Sequence, residues 1–435
     1  MRAATGLARR ARRRLDDHRP APHLARVEAF AVDDRSVQVV WGRAPAGPVH
    51  VTTGRRGLMA VGDDGPGGVV IDGLPSDTLH RIGVESARSE HRRLRVHTLA
   101  PPPGALLCRV ATVNDLHVGA MDFGLLRSMV DRSGLPEPAA QRCARRALQD
   151  AAAWGAQLLV VKGDVTNQGW HGQWAALRGL LGRTGLPAVV VAGNHDVSAR
   201  REIDLGSALL GRPVARGEGA GPAGAGAAMS AAGTDAATST ARDADPRTPS
   251  AKVAVAAPLH VTDLPGIRVV TVDSSRDTRS TGSLRPVLTD LLDALAEADR
   301  PALVCVHHCL DRWPVPTKYP RGITWPESPR VLGAIRRVKA DVVITTGHSH
   351  RNRVRRVGPI VVSEVASTKD YPGVWAGYAV HEGGIVQVVR RMTWPDAMGW
   401  TEYSRRAVGG LWRWYAPGRL ADRCFSHRWP PPGSH

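Results

Sequence analysis

The chain has 435 residues, of which 43% are hydrophobic, and it carries a formal net charge of +18 at pH 7. This length allows about two or three domains with a sizeable core, and no apolar run is long enough to span a bilayer. The positive charge favours anionic partners. The arginines are spread along the chain, however, and the codon usage of a high-GC genome would also produce such a distribution.

Residues 1–20 form a strongly basic segment with seven arginines and only two acidic residues, Asp16 and Asp17. The segment lacks the apolar stretch of an export signal, so we predict a basic disordered arm. The five cysteines of the chain are scattered, with no spacing typical of a disulfide framework or a zinc ribbon. This cysteine usage predicts a cytoplasmic protein.

Residues 21–100 contain short segments of strand character separated by turns rich in Gly, Pro and Asp. Strands are predicted at 37–41, 49–53, 68–71, 81–84 and 94–98, and their spacing predicts a small all-β sandwich. The stretch GLPSDTLHRIGV, 73–84, resembles the corner of a fibronectin type III domain, with His80 where that family usually has tyrosine. We expect this unit to act as a spacer or docking platform.

Residues 105–393 follow a Pro-rich hinge, PPPG, and alternate strands with helices, which is typical of an α/β domain. Strands are predicted at 107–113, 158–162, 188–192, 267–272, 302–306 and 341–345, and helices at 141–153, 174–181 and 286–298. A strand at 360–365 and a hairpin at 378–391 are assigned to a second sheet. The segment 212–252 is low in large apolar residues and is predicted to be a disordered insertion. The Trp- and Arg-rich extension, 394–435, is expected to pack across the domain.

Five strand ends carry groups that bind metals or move protons. They are Asp115-x-His117, Gly163-Asp164, Gly193-Asn194-His195-Asp196, His307-His308 and Gly347-His348-Ser349-His350. Each motif alone is common, but ligands gather at the carboxyl ends of strands in α/β sheets, and five such ends together are hard to obtain by chance. Imidazole, carboxylate and amide ligands without thiolate favour a catalytic site of Mn, Fe, Zn, Ni or Mg over a structural zinc site. The number of ligands suffices for two metal ions that share one carboxylate.

This set resembles the calcineurin-like metallophosphoesterase superfamily, whose pattern is D-x-H, G-D, G-N-H-[DE], H and G-H-x-H. The resemblance covers roughly residues 107–392 and implies a four-layer αββα sandwich, preceded here by the small all-β sandwich. It implies a metal-dependent hydrolase that cleaves a phosphomonoester or phosphodiester with hydroxide activated by two divalent metal ions. The resemblance implies a first metal on Asp115, His117 and His350, a second metal on Asn194, His307 and His348, and a carboxylate of Asp164 that bridges the two. It also implies a catalytic His195, which contacts the phosphate and protonates the leaving oxygen, and an Asp196 that orients His195.

Departures from the pattern argue against some branches of the superfamily. Asn167 replaces the tyrosine that purple acid phosphatases carry three residues after the bridging aspartate, which argues against a tyrosinate–iron(III) site. The sequence GDVTNQG does not match the GDxxDRG of protein Ser/Thr phosphatases. The pattern is more similar to bacterial phosphodiesterases of the cyclic-nucleotide type, although Cys309 stands where those usually have proline.

The substrate class stays open at this point. A phosphorylated small molecule is expected, and Lys162, Lys369 or an arginine of 351–356 could reach its phosphate or simply face solvent. One alternative is a nuclease for DNA or RNA with the same dinuclear site. Nucleic acid is possible but not favoured, because no module with base-stacking aromatics is evident. A second alternative is a scaffold or binding protein with a vestigial site, against which the intact ligand set argues.

Overall fold

A computed structural model describes residues 23–54, 56–124, 127–197, 253–276, 279–315 and 319–430. The predicted basic arm, 1–20, and the predicted insertion, 212–252, lie outside these residues. Within the described ranges, none of the helices combines the length and the apolar character that a bilayer span requires.

The N-terminal unit consists of two antiparallel sheets with strand orders β1-β2-β5 and β4-β3-β6-β7. Its strands are β1 (Glu28–Val32), β2 (Val37–Trp41), β3 (Gly47–Thr53), β4 (Arg56–Gly62), β5 (Gly67–Ile71), β6 (Leu79–Ser86) and β7 (His91–His97). The sequence reading found five of them but not β1 or β4. A His80 ring nitrogen is hydrogen-bonded to the Pro75 carbonyl at 3.2 Å, a contact back along the chain like that of a tyrosine corner. The all-β prediction is confirmed, and the fibronectin type III resemblance stays a prediction.

The remainder of the chain alternates strands and helices. The strands are β8 (Leu106–Val113), β9 (Asp122–Phe123), β10 (Met129–Val130), β11 (Leu158–Lys162), β12 (Ala188–Val191), β13 (Val253–Val255), β14 (Leu259–Leu264), β15 (Ile267–Val272), β16 (Ala302–Val306), β17 (Val342–Thr346), β18 (Arg353–Val357), β19 (Ile360–Glu364), β20 (Val374–His381), β21 (Gly384–Arg391) and β22 (Phe425–Arg428). The helices are α1 (Ala139–Ala153), α2 (His171–Gly182), α3 (Asn194–Val197), α4 (Leu288–Ala296), α5 (Glu327–Val338), α6 (Pro395–Ser404), α7 (Trp412–Tyr415) and α8 (Leu420–Arg423).

Strands β9 and β10 pair only with each other. The other strands form two large mixed sheets with the orders β13-β12-β11-β8-β20-β21-β22 and β14-β15-β16-β17-β19-β18. Strands β8, β11, β12 and β13 are parallel, as are β15, β16, β17 and β19. The assignment of the 378–391 hairpin to the second sheet is wrong, because β20 pairs antiparallel with β8 in the first. Strands of both sheets are continuous apolar runs, and such runs do not reveal which sheet they join.

Alternate side chains of each strand serve two different cores. On β11, Leu158 and Val160 belong to the cluster between the sheets, whereas Leu159 and Val161 belong to the cluster beneath α1 and α2. A third cluster lies beneath α4 and α5 on the other sheet. The layers are therefore helix, sheet, sheet and helix, which confirms the predicted fold class.

Buried hydrogen bonds connect the N-terminal unit to the α/β layers. Arg390 on β21 donates to Asp33 at 2.9 Å, and the Gln38 amide donates to the carbonyl of Arg391 at 2.8 Å. Arg423 on α8 donates to the Phe30 carbonyl at 2.7 Å. Because the hydrophobic cluster between the large sheets continues into this unit, the two parts share one core.

Candidate metal centre

The carboxyl ends of parallel strands from both sheets meet at one edge and bring the predicted residues together. The Asp164 carboxylate, after β11, lies 3.7 Å from His117 Nε2 and 3.4 Å from His307 Nε2. The Asp115 carboxylate, after β8, lies 3.4 Å from His350 Nε2. Residues separated by more than two hundred positions therefore face one another across a single buried cluster.

Four overlapping groups in this cluster have donor atoms within 4.8 Å of one another, close enough to hold metal ions. They are Asp115–His117–His350, His117–Asp164–His195, Asp115–Asp164–His307 and His307–His308–His348. The first is the set that the resemblance implies for one metal. His308 also reaches the cluster, although the sequence reading chose only His307 from the pair. Asn194 is buried at the end of β12, with 8% of its surface exposed.

Several of these side chains present a buried polar atom that has no hydrogen-bond partner among the described residues. The atoms are His117 Nδ1 and Nε2, Asn194 Oδ1, His307 Nε2, His308 Nε2 and His348 Nδ1. Buried polar groups are rarely left unsatisfied, so a concentration of them at one place points to a ligand. The donor set of imidazoles, an amide oxygen and carboxylates fits divalent cations.

The opposite ring nitrogens of the histidines show how the rings are held. His307 Nδ1 donates to the Lys162 carbonyl at 3.0 Å, and His348 Nε2 donates to the Arg321 carbonyl at 3.0 Å. A carbonyl can only accept, so the proton on that nitrogen is held in place, and the other nitrogen of each ring is the one that can offer a lone pair to a metal ion. Such an outer contact is the usual companion of a metal-binding imidazole.

The backbone at the site adopts conformations that side chains seldom occupy. Asp115, His117, Asp164, His348 and His350 all have positive φ, between 44° and 66°. Asp and His tolerate this region better than most residues, yet each instance costs roughly 1–3 kcal/mol. Strain concentrated on these five positions is typical of a functional site.

Two glycines allow the strand ends to approach one another. A Cβ on Gly193 would lie 2.1 Å from the backbone nitrogen of Asp164, and one on Gly163 would lie 2.4 Å from the ring of His307. Neither position can accommodate a side chain without moving a residue of the cluster. This requirement explains both glycines of the G-D and G-N-H-D motifs.

Electrostatic interactions within the cluster keep its carboxylates charged. Burial by itself would raise the pKa of Asp164, but His307 outweighs it and the pKa lies well below its ordinary value. Burial opposes the charge of His307, yet Asp164 and Asp115 raise its pKa to about 9. Burial likewise opposes the charge of His350, whose pKa Asp370 and Asp115 raise to about 10. A metal ion that binds at His307 or at His350 must therefore displace a proton from that histidine.

His195 and Asp196 occupy different environments. The half-buried His195 ring lies 4.6 Å from the ring of His117, and its Nδ1 donates to the Asn167 carbonyl at 3.1 Å. The Asp196 carboxylate accepts hydrogen bonds from the backbone of Gly193, Val165 and Thr166 and from the Thr166 hydroxyl, at 2.7–3.1 Å. Asp196 therefore ties the GNHD turn to the loop after β11.

The sequence reading did not identify Asp370, which lies at the centre of a buried contact chain. His350 Nδ1 donates to Asp370 Oδ2 at 2.6 Å, and Trp412 Nε1 donates to Asp370 Oδ1 at 3.0 Å. Phe123 stacks on His350 with ring centroids 6.2 Å apart, and the Lys369 ammonium lies 5.6 Å from the Phe123 ring. No motif spacing marks Asp370, Phe123 or Trp412, because each comes from a different segment.

The structure places Lys162 and Lys369 in different surroundings. Lys162 is buried between the sheets and donates to Thr345 Oγ1 at 2.7 Å and to the Thr346 carbonyl at 3.2 Å. Its ammonium joins β11 to β17 and faces away from solvent. Lys369 instead lies close enough to the cluster for its charge to lower the pKa of His117, after burial itself.

Comparison with known protein families gives one match, which covers more than half of the chain. The family model of the calcineurin-like phosphoesterases matches residues 108–352. Similar solved structures include a dimetal phosphatase from Danio rerio, at 14% identity and TM-score 0.44, covering 66% of this chain and 97% of that one. PhoD, at 12% and 0.39, covers 84% and 86%, and a purple acid phosphatase from yellow lupin, at 12% and 0.40, covers 86% and 72%. The curated protein sequences contain no match.

Proposed function

Because the chain belongs to the calcineurin-like phosphoesterase family, whose members are metal-dependent hydrolases, we propose that its centre holds two divalent cations and hydrolyses a small phosphomonoester or phosphodiester. The observation that carries this proposal is the convergence of all five motifs on one buried cluster, in which several ring nitrogens and the Asn194 amide oxygen have no hydrogen-bond partner among the described residues. The metals would polarise the phosphoryl group and lower the pKa of the attacking water.

The residues divide into two ligand sets around a shared carboxylate. Asp115, His117 and His350 would hold one cation, and Asn194, His307 and His348 would hold the other, with Asp164 between them. The group Asp115–His117–His350 supports the first set, and the group His307–His308–His348 supports the two histidines of the second. Asp164 occurs in one group with His117 and in another with His307, which supports its place between the two sets. His308 is an additional candidate for the second set, because it offers a donor atom within 4.8 Å of those of His307 and His348, and its Nε2 has no hydrogen-bond partner in the part of the chain that the structure describes.

His195 is proposed to protonate the leaving oxygen. Its Nδ1 is committed to the Asn167 carbonyl, so Nε2 is the atom that exchanges a proton with substrate. Asp196 acts at a distance, as a positioning residue, by fixing the turn that carries His195. Lys369, buried beside the cluster, is proposed to contact a substrate phosphoryl oxygen.

Hydrolysis of p-nitrophenyl phosphate and bis-p-nitrophenyl phosphate with added Mn²⁺ tests the proposal. We expect Asp164→Ala and His195→Ala each to lower kcat by at least about 100-fold. The two variants should differ in bound metal, which Asp164→Ala loses and His195→Ala keeps. His50→Ala, on the exposed face of β3, is the control. Unchanged turnover in both site variants would end the proposal, and loss of metal in His195→Ala would make His195 a ligand.

A further inference from the structure

A second concave surface lies between the N-terminal unit, strand β18 and helices α7 and α8. It is a cleft of about 1080 Å³, and ten arginines line it together with three carboxylates and three aromatic side chains. The arginines come from segments that are far apart in the sequence, near residues 26, 351–356, 391 and 405–423. This cleft, which we call the arginine cleft, is distinct from the metal cluster.

The carboxylates of the arginine cleft do not neutralise it. Glu402 already pairs with Arg391 at 2.8 Å and with Arg26 at 3.1 Å. Asp422 accepts from the backbone nitrogens of Val354 and Arg419, at 3.1 and 2.9 Å. The remaining carboxylate, on Glu28, lies 4.0 Å from Arg423.

Three arginines of the cleft keep their charge available. Within the described part of the chain, no carboxylate lies within ion-pair distance of Arg353, Arg405 or Arg413. Arg353 is exposed on β18, at the edge of its sheet. A guanidinium in this state presents a planar fork that matches the oxygens of a phosphate group.

Two aromatic rings of the cleft lie beside arginines. Trp414 is 74% exposed, and the Arg413 guanidinium lies 5.3 Å from its ring centroid. Next to it, the Arg351 guanidinium lies 5.2 Å from the ring of Tyr415. An exposed indole beside unneutralised arginines is the combination that binds bases by stacking and backbones by charge.

We propose that the arginine cleft binds single-stranded nucleic acid, with arginines on the phosphates and Trp414 stacked on a base. Ten arginines line the cleft, more than a single phosphate can contact, which favours a chain of phosphates over a single anion. The concave shape disfavours a lipid bilayer. This binding is independent of hydrolysis at the metal cluster.

Fluorescence anisotropy with a labelled oligothymidylate of about twelve residues, titrated at several salt concentrations, tests the proposal on the full chain. The double variant Arg353→Gln/Arg413→Gln should weaken binding and reduce the slope of log K against log salt by about 1.4, because each lost phosphate contact removes about 0.7. The matched control is Arg93→Gln/Arg95→Gln, which removes two exposed arginines of β7 outside the cleft. The basic arm, 1–20, is present in every variant, so a difference in binding between the cleft variant and the control variant measures the contribution of the cleft arginines.

Base stacking has a separate test. Trp414→Ala should weaken oligothymidylate binding at least about fivefold and leave the binding of inorganic polyphosphate, which has no bases, unchanged. Absence of oligothymidylate binding by the wild type at low salt would overturn the proposal. Equal losses in the cleft and control arginine variants, an equal effect of Trp414→Ala on polyphosphate, or preferential binding to anionic vesicles would also overturn it.

Discussion

The carboxylate of Asp370 provides the sharpest test of how the metal centre is supported. It is fully buried and accepts two hydrogen bonds, from His350 Nδ1 at 2.6 Å and from Trp412 Nε1 at 3.0 Å. The substitution Asp370→Asn keeps the volume but leaves one acceptor oxygen for two donors. The amide NH₂ must then face a second donor, and His350 loses the charge that holds its orientation.

We expect Asp370→Asn to lower metal affinity or turnover about 10–100-fold, the usual cost of losing an outer contact of a metal-binding histidine. At 1.36 kcal/mol per tenfold change this equals about 1.4–2.7 kcal/mol, close to the worth of one hydrogen bond to a charged group. Calorimetric titration with Mn²⁺ and the Mn²⁺ dependence of bis-p-nitrophenyl phosphate hydrolysis measure the two quantities.

The chain offers a matched control and a rescue. Asp150 is a half-buried carboxylate that also accepts from a tryptophan, Trp394 Nε1 at 2.8 Å, but it contacts no histidine of the centre, so Asp150→Asn should leave metal affinity unchanged. Adding Trp412→Phe to Asp370→Asn removes the competing donor and should restore part of the loss. Wild-type metal affinity and turnover in Asp370→Asn, or an equal loss in Asp150→Asn, would refute the reasoning.

Three further predictions concern the strand ends and the buried charges. Gly193→Ala should abolish metal binding, measured by calorimetry, because its Cβ would overlap Asp164, and intact metal binding would contradict the geometry. The control Gly399→Ala, in open space on α6, should instead raise the free energy of unfolding by about 0.5–1 kcal/mol, measured by thermal unfolding. Since the pKa of His307 is raised to about 9 and that of His350 to about 10, filling both sites should release about two protons, one for each ion. The log affinity for each ion should therefore rise by about one per pH unit from pH 6 to 8, and a pH-independent affinity is incompatible with this. Burial lowers the Lys162 pKa from 10.5 to about 8, so the native state binds fewer protons between these values and stability rises with pH across that window. Lys162→Met should remove about 3 kcal/mol of that rise in urea unfolding, and parallel pH profiles would show that Lys162 does not titrate there.

Much of the site followed from local sequence because each motif is short and sits where a strand ends. Asp164 and Asn194 were predicted together because parallel strands place their carboxyl ends at one edge. Asp370 has no such signal, since its partners His350 and Trp412 belong to other segments. The choice of His307 over His308 also depends on ring orientations that only packing fixes.

The sequence by itself determined the fold class, the family and the ligand types, because strand periodicity, glycine turns and ligand chemistry are properties of neighbouring residues. Tertiary structure alone decided which sheet the 374–391 hairpin joins, that Lys162 bridges the sheets, and that Asp370 supports His350. It also gathered arginines from distant segments into one cleft, around Arg353 and Arg413. Contacts between distant segments depend on how complete layers pack, and no local pattern of residues encodes that packing.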